Sequence, residues 1–438
     1  MKTFMYLRVL IVAGIIFLFT ACENKNNSSG LSTKRLKHID TLIDKHIEDK
    51  KIAGAVVLVA RKGKISYFRA AGKADINKPM KKDTIFRIVS MTKPLTSVCI
   101  MRLYEEGKLL LSDPVSKYIP EFKNQKVMVT MPEGSAYPYK LVPAKREVTI
   151  KDLLSHSSGL LYLFPANYFL DKKRQMLVEL YKDADITDGF CRPDEEIGDM
   201  VKRLARLPLY ANPGEVWDYS LASDVLGYLV EVVSGEKFDV YMKKQIFDPL
   251  KMHDSHFFIP KDKRDRLSAV WLSDWKGSLK KVDDKPMING NLALCPTDAH
   301  TKGKYLAGGA SVLSTVYDYY RFSQMLLNKG ELDGVRVLSR KTVELMTQTN
   351  HIGKFDAKFL HSHGWKFGLG FAIQKDRSHS VDSGSVGTFE WAGIYSTRFS
   401  IDPSEEKITI FMSQTSPFGM HFGLWDKLLV LANSAIND

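Results

Sequence analysis

An extended apolar run, Ile85 to Val89, passes without a linker into Ser90-Met91-Thr92-Lys93-Pro94, and then into Leu95, Val98, Cys99 and Leu103 at helical spacing, with Gly107 as a stop. Proline is tolerated in the first turn of a helix because the amide it lacks has no intrahelical partner there. The pattern predicts extended chain entering a core and turning at once into a helix, with Ser90 at the helix N-terminus. Lys93, three residues on, falls over the same face. A hydroxyl in the positive field of a helix N-terminus, beside an amine able to take its proton, is the arrangement of an activated nucleophile. Ser-x-x-Lys also starts at Ser234, Ser273, Ser278 and Ser404, but these sit at a helix end, in a polar stretch or after Pro403. Taken alone, Ser90 reads equally as an ordinary helix cap.

The rest of the chain supplies a setting for this junction. Leu36, Ile39, Leu42, Ile43 and Ile47 give a helix with one buried face, ended at Ala53-Gly54. Ala55 to Ala60, a Lys-Gly turn and Ile65 to Phe68 predict a hairpin. Lys123 to Arg146 reads as irregular, and Val148 to Tyr241 as mostly helical with breaks at Gly159, Pro165, Pro193 and Pro213-Gly214. Ser314 to Leu327 is an amphipathic helix with Ser314 as its cap. Trp391 to Ile401 and Lys407 to Ser413 read as strands, and Leu424 to Ala432 as a closing helix. Helix, strands, helical middle, strands, helix is the order of an α+β domain whose sheet is completed by both chain ends.

Targeting is written at the N-terminus. Lys2 and Arg8 precede an apolar run, Val9 to Phe19, that is too short to span a bilayer comfortably and ends in small residues, so residues 1–21 read as a signal peptide. Leu18-Phe19-Thr20-Ala21-Cys22 resembles the lipobox of bacterial lipoproteins. That resemblance implies cleavage before Cys22, lipid on its sulfur and new amine, and a polar tether over residues 22–33. The expected location is the bacterial cell envelope, periplasm-facing or at the outer membrane; a plain secretory peptide is the alternative.

The 438 residues can bury a large core and carry a net charge of +13, with the basic residues scattered rather than banked with aromatics. Scattered cations on an exported chain argue against a nucleic-acid partner. Cys99 lies in an apolar helical pattern and reads as a buried small hydrophobe. Whether Cys191 and Cys295 pair is left open. There is no Cys-x-x-Cys, and His361-Ser362-His363 has no accompanying carboxylates, so the sequence calls for no metal and no cofactor. No Gly-x-Ser-x-Gly is present, so an α/β-hydrolase elbow is not indicated.

Five stretches in order make the reading specific: Phe86 to Pro94 around Ser90, Leu153-Leu154-Ser155-His156-Ser157-Ser158-Gly159-Leu160, Pro213-Gly214-Glu215-Val216-Trp217-Asp218-Tyr219-Ser220, Ala307-Gly308-Gly309 followed by Ser314-Thr315, and Trp391-Ala392-Gly393. Together they resemble the serine β-lactamase and penicillin-binding-protein superfamily, in its class C and esterase branch, over roughly residues 34 to 430. The resemblance implies a β-lactamase/transpeptidase-like α+β domain over 34–438, an antiparallel sheet flanked by helices, with a mostly helical insertion over roughly 149–297. It implies Ser90 as nucleophile and Lys93 and Tyr219 as the groups that move its proton. It also implies an oxyanion site from the Ser90 and Ile394 amides, with Trp391 and Gly393 lining it. His156 is expected to brace a loop.

Two departures from the family pattern bear on the substrate. The second motif reads Tyr219-Ser220-Leu221, without the amide found two residues after the tyrosine in lactamases; Ser223 or Asp224 are the candidate substitutes, the alternative being that they face solvent on their helix. The third motif begins with Trp391 instead of the lysine that binds a substrate carboxylate, which favours a neutral ester over penicillins and D-alanyl peptides, unless Arg398 supplies a cation. The expectation is a serine hydrolase acting through an acyl-enzyme on a small acyl substrate, esterase-like. The alternatives are a β-lactamase or D-alanyl-D-alanine carboxypeptidase, and a non-catalytic binding lipoprotein on the same fold. Oligomeric state is not legible.

Overall fold

The computed structural model describes residues 29–163, 171–189, 194–274, 277–283, 287–289, 292–294, 299–300, 303–357, 364–378, 383–417 and 422–438. The signal segment, Cys22, Cys191, Cys295, His361 and His363 lie outside the described residues.

After a single helical turn at Thr33–Leu36, helix α1 (His38–Glu48) leads into a long hairpin of β1 (Gly54–Arg61) and β2 (Lys64–Asp75), followed by the short β3 (Lys78–Pro79). Five more strands come from the last quarter of the chain: β4 (Trp365–Phe367), β5 (Ala372–Gln374), β6 (Phe389–Gly393), β7 (Thr397–Asp402) and β8 (Lys407–Met412). They form one eight-stranded antiparallel sheet in the order β4-β5-β6-β7-β8-β1-β2-β3. The two ends of the chain therefore meet at the β8–β1 pair, where Val56 stands opposite Met412 and Arg61 opposite Lys407.

Both faces of β1 are buried, which is why its sequence is a continuous apolar run. Ala55, Val57 and Val59 face a layer made by Ile39, Ile43, Leu424, Trp425 and Leu428, where α1 packs on the C-terminal helix (Phe422–Ser434). Val56, Leu58 and Ala60 point the other way, into the main core. At the centre of that core lies α2 (Thr92–Glu105), buried on nearly every side, packed against α3 (Ala222–Ser234) and not far from α4 (Val316–Leu327). Cys99 is a buried free thiol within it, and burial pushes its pKa up.

The fold is thus α+β, as the order of elements suggested. Three local expectations change. Trp391 to Ile401 is two strands, β6 and β7, joined by a tight turn in which Ser396 takes a left-handed φ of 63°. The stretch read as irregular contains a hairpin, Lys126–Thr130 with Tyr139–Pro143, whose partners Val127 and Val142 stand opposite each other. Helix α4 is capped by Thr315, whose Oγ1 accepts from the Asp318 amide, not by Ser314.

Candidate active site

Ser90 sits in a single turn of 3₁₀ helix, Val89–Met91, that runs directly into α2. Val89 holds a φ of 47°, a left-handed conformation that a β-branched residue rarely adopts. It is kept there by packing against Val270, Val282 and Tyr395, so the turn presenting Ser90 is strained, as nucleophile turns tend to be.

The first turns of α2 are stitched to the segment Ala307 to Val312. Thr96 Oγ1 donates to the Gly308 carbonyl at 2.6 Å, the Val312 amide donates to Thr92 Oγ1 at 3.1 Å, and the Ile88 amide donates to the Val312 carbonyl at 3.1 Å. Lys93 Nζ donates to the Gly309 carbonyl at 2.8 Å and to Ser90 Oγ at 3.1 Å. The small residues of that motif are required by the approach: a Cβ on Gly308 would stand 2.0 Å from the Ser223 carbonyl of α3.

Lys93 is 2 % exposed and lies 4.8 Å from the Tyr219 ring centre and 5.3 Å from that of Tyr162. Burial lowers its pKa below the ordinary amine range, against the pull of Asp224 and Asp188, so the neutral, proton-accepting amine is favoured. Tyr219 is buried; burial pushes its phenol up, while hydrogen bonds from Ser90 and the Trp391 side chain oppose this. The structure therefore brings Ser90, Lys93, Tyr219 and Trp391 together, from three separate segments.

Tyr219 is held by the second sequence stretch. The His156 carbonyl accepts from the Asp218 amide at 2.8 Å, and the Ser157 carbonyl from the Gly214 amide at 2.7 Å. The His156 ring packs edge-on to Tyr219 at 5.0 Å, and its Nδ1 lies 3.3 Å from Ser220 Oγ. Burial and the neighbouring Lys93 push His156 down to about 3, so it stays neutral through the physiological range and braces the loop.

Gly393 ends β6 against the nucleophile turn. A Cβ there would stand 2.3 Å from both the Ile88 carbonyl and Thr397 Oγ1, and Thr397 Oγ1 itself donates to that carbonyl at 3.3 Å. Ile394 is the first residue of the following turn, beside the turn that carries Ser90. Gly393→Ala is expected to force these two segments apart and lower kcat on a p-nitrophenyl ester by about 100-fold, the scale of an ångström-size misplacement. A kcat equal to wild type would show that the close approach is not needed.

At the two departures, the structure is specific. Trp391 is buried 5.3 Å from Tyr219 and 5.3 Å from Phe367, so an aromatic wall stands where lactamases carry a lysine. Arg398 does not supply the missing cation: its guanidinium is buried and donates to Glu390 Oε1, the Nε bond being 3.0 Å. Ser223 and Asp224 are both buried rather than solvent-facing, and Leu221 is in the core. Sequence reading missed Tyr162 and Asp188, for which no local pattern exists.

Residues 39–433 match the family described as Beta-lactamase. An uncharacterised protein of Mycobacterium tuberculosis is 32 % identical over 84 % of this chain and 86 % of its own length. Esterase EstB of Burkholderia gladioli is 29 % identical over 87 % of this chain and 91 % of its own. Among solved structures, EstCE1, described as a hydrolase with promiscuous acyltransferase activity, superposes with a TM-score of 0.76 at 26 % identity, covering 93 % of this chain and 99 % of that one.

Proposed function

Since the chain belongs to the beta-lactamase family, we propose that it is a serine hydrolase with esterase-like activity, acting on small neutral acyl esters through an acyl-enzyme on Ser90. The observation that carries the reading is Ser90 Oγ held between Lys93 Nζ and the Tyr219 phenol, with Trp391 in the lysine position.

Ser90 Oγ attacks the ester carbonyl carbon while its proton passes to Lys93, directly or by way of Tyr219. The carbonyl oxygen takes the negative charge and is met by the Ser90 and Ile394 amides. Collapse breaks the bond to the alcohol oxygen, which takes the proton back, leaving an acyl group on Ser90. Water, activated by the same pair, then hydrolyses that ester and frees the acid. The aromatic wall of Trp391 and the neutralised Arg398 offer no cation to a substrate carboxylate, which argues for esters over penicillins.

Acid-quenched mixtures with a p-nitrophenyl ester should give an acyl mass on the peptide containing Ser90. Fluorescent penicillin should not label stably or be turned over rapidly. No acyl mass, or one on another residue, overturns the reading; rapid lactam turnover moves the protein to the lactamase alternative. We also propose that the chain is anchored through lipid on Cys22. Ser29, where the described chain starts, accepts from Arg61 Nη1 at 3.1 Å, so a tether would leave the domain at that end of β1. The mass of the mature N-terminus reads this directly.

A further inference from the structure

Asp224 is a fully buried acid that the reaction as described does not use. It lies on α3, five residues after Tyr219, and neither of its oxygens meets a side-chain donor at hydrogen-bond distance among the described residues. A carboxyl in that condition is costly to bury, and its retention calls for a function. The missing Cβ of Gly309 shows what it faces. That atom would stand 3.0 Å from Asp224 Oδ2, 3.1 Å from Lys93 Nζ and 2.9 Å from the Tyr162 hydroxyl. Acid, amine and phenol thus converge on one point that only glycine leaves open. Asp224 and Lys93 are no more than about 6 Å apart, a range over which opposite charges couple strongly in a buried site.

We propose that Asp224 is the positioning residue for Lys93: its carboxylate is the counter-charge for the ammonium that forms when Lys93 takes the Ser90 proton, the task that falls to it where the second motif lacks an amide. This rests on the serine-hydrolase reading above. The step balances: the proton leaves Ser90 Oγ, arrives at Lys93 Nζ, and the charge pair of ammonium and carboxylate lasts until the leaving alcohol takes the proton.

The groups facing this pair come from several elements. Lys93 is met by Asp224, by Asp188, by the rings of Tyr162 and Tyr219, and by neutral His156. Asp224 is met by Lys93, Tyr162, Tyr219 and Tyr305, and by the Gly309 amide. Asp188 accepts from the Leu163 amide at 2.8 Å and so has a structural task of its own. Burial moves the two partners in opposite directions, the amine down and the carboxyl up, and each charge pulls the other back.

Asp224→Asn removes the charge and keeps the shape. Without the carboxylate, burial acts on Lys93 unopposed, so its neutral form persists to lower pH. The acid limb of kcat/KM for a p-nitrophenyl ester should move down by about one pH unit. The ammonium formed in the reaction loses its counter-charge, so kcat should fall about tenfold or more with KM little changed, a pK unit being tenfold. A kcat loss with the acid limb unmoved, or unchanged kinetics, overturns the inference. Should Asp224→Asn fail to fold by circular dichroism, the smaller neutral Asp224→Ser gives the same two readouts. Acyl mass on wild-type Ser90 is measured in parallel. Its absence sinks the serine-hydrolase reading itself, whereas its presence beside an unmoved acid limb sinks only the role of Asp224.

Discussion

Ser90→Ala is expected to lower p-nitrophenyl ester turnover by on the order of 10⁴- to 10⁶-fold, as loss of a nucleophile does in other acyl-enzyme hydrolases. Its Tm should stay close to wild type, because Lys93 keeps its bond to the Gly309 carbonyl and Ser90 fills no core position. Lys93→Met should be nearly as inactive, and its Tm should fall, since it leaves the Gly309 carbonyl and the Asp224 carboxyl buried without the amine. The double variant should be no slower than either single one. Ser90 and Lys93 act as one unit, and removing half of a unit removes its effect. Losses that multiply in the double variant would mean that the two residues serve separate steps. Residual turnover of wild-type magnitude in Ser90→Ala would place the nucleophile elsewhere.

How much of this was legible follows from distance along the chain. The Ser90 junction is local: strand, serine, lysine and proline lie within ten residues, and apolar spacing alone places them. The order of the five stretches carried the resemblance, and with it the sheet shared between chain ends. The turn between β6 and β7 escaped because Ile394-Tyr395-Ser396 contains no glycine, proline, asparagine or aspartate, and a non-glycine residue takes the positive φ at Ser396. The convergence on Gly309 escaped for a different reason. Lys93, Tyr162, Asp224 and Gly309 come from four parts of the sequence, and no periodicity links them. For the missing amide the sequence offered Ser223 and Asp224 alike, because helical spacing could not say which side of α3 would be covered. The paired glycines of the Ala307-Gly308-Gly309 stretch were the one available hint, since glycine is the residue that lets a backbone approach its neighbours closely.

Arg398 shows the opposite failure, a residue whose chemistry suggested a task that its surroundings forbid. On β7 it lies diagonally across from Glu390 on β6, with Ala392 directly opposite it and Ser400 opposite Glu390. Arginine is 5 % and glutamate 1 % exposed, and the guanidinium also stacks 5.0 Å over Trp425. Such a pair adds little net stability when whole, because taking both charges out of water offsets their attraction. Broken on one side, it leaves a carboxylate buried without its guanidinium. Arg398→Met is therefore expected to lower the unfolding free energy by about 3–5 kcal/mol, read by urea denaturation, while the double variant Arg398→Met with Glu390→Leu returns close to wild type. At a temperature where Arg398→Met remains folded, its ester kinetics should match wild type, because the guanidinium has no hand free for a substrate. The contrary result is informative. Unchanged stability with a raised KM confined to carboxylate-bearing substrates would mean that the arginine leaves Glu390 to bind them, and the preference for neutral esters would have to be given up.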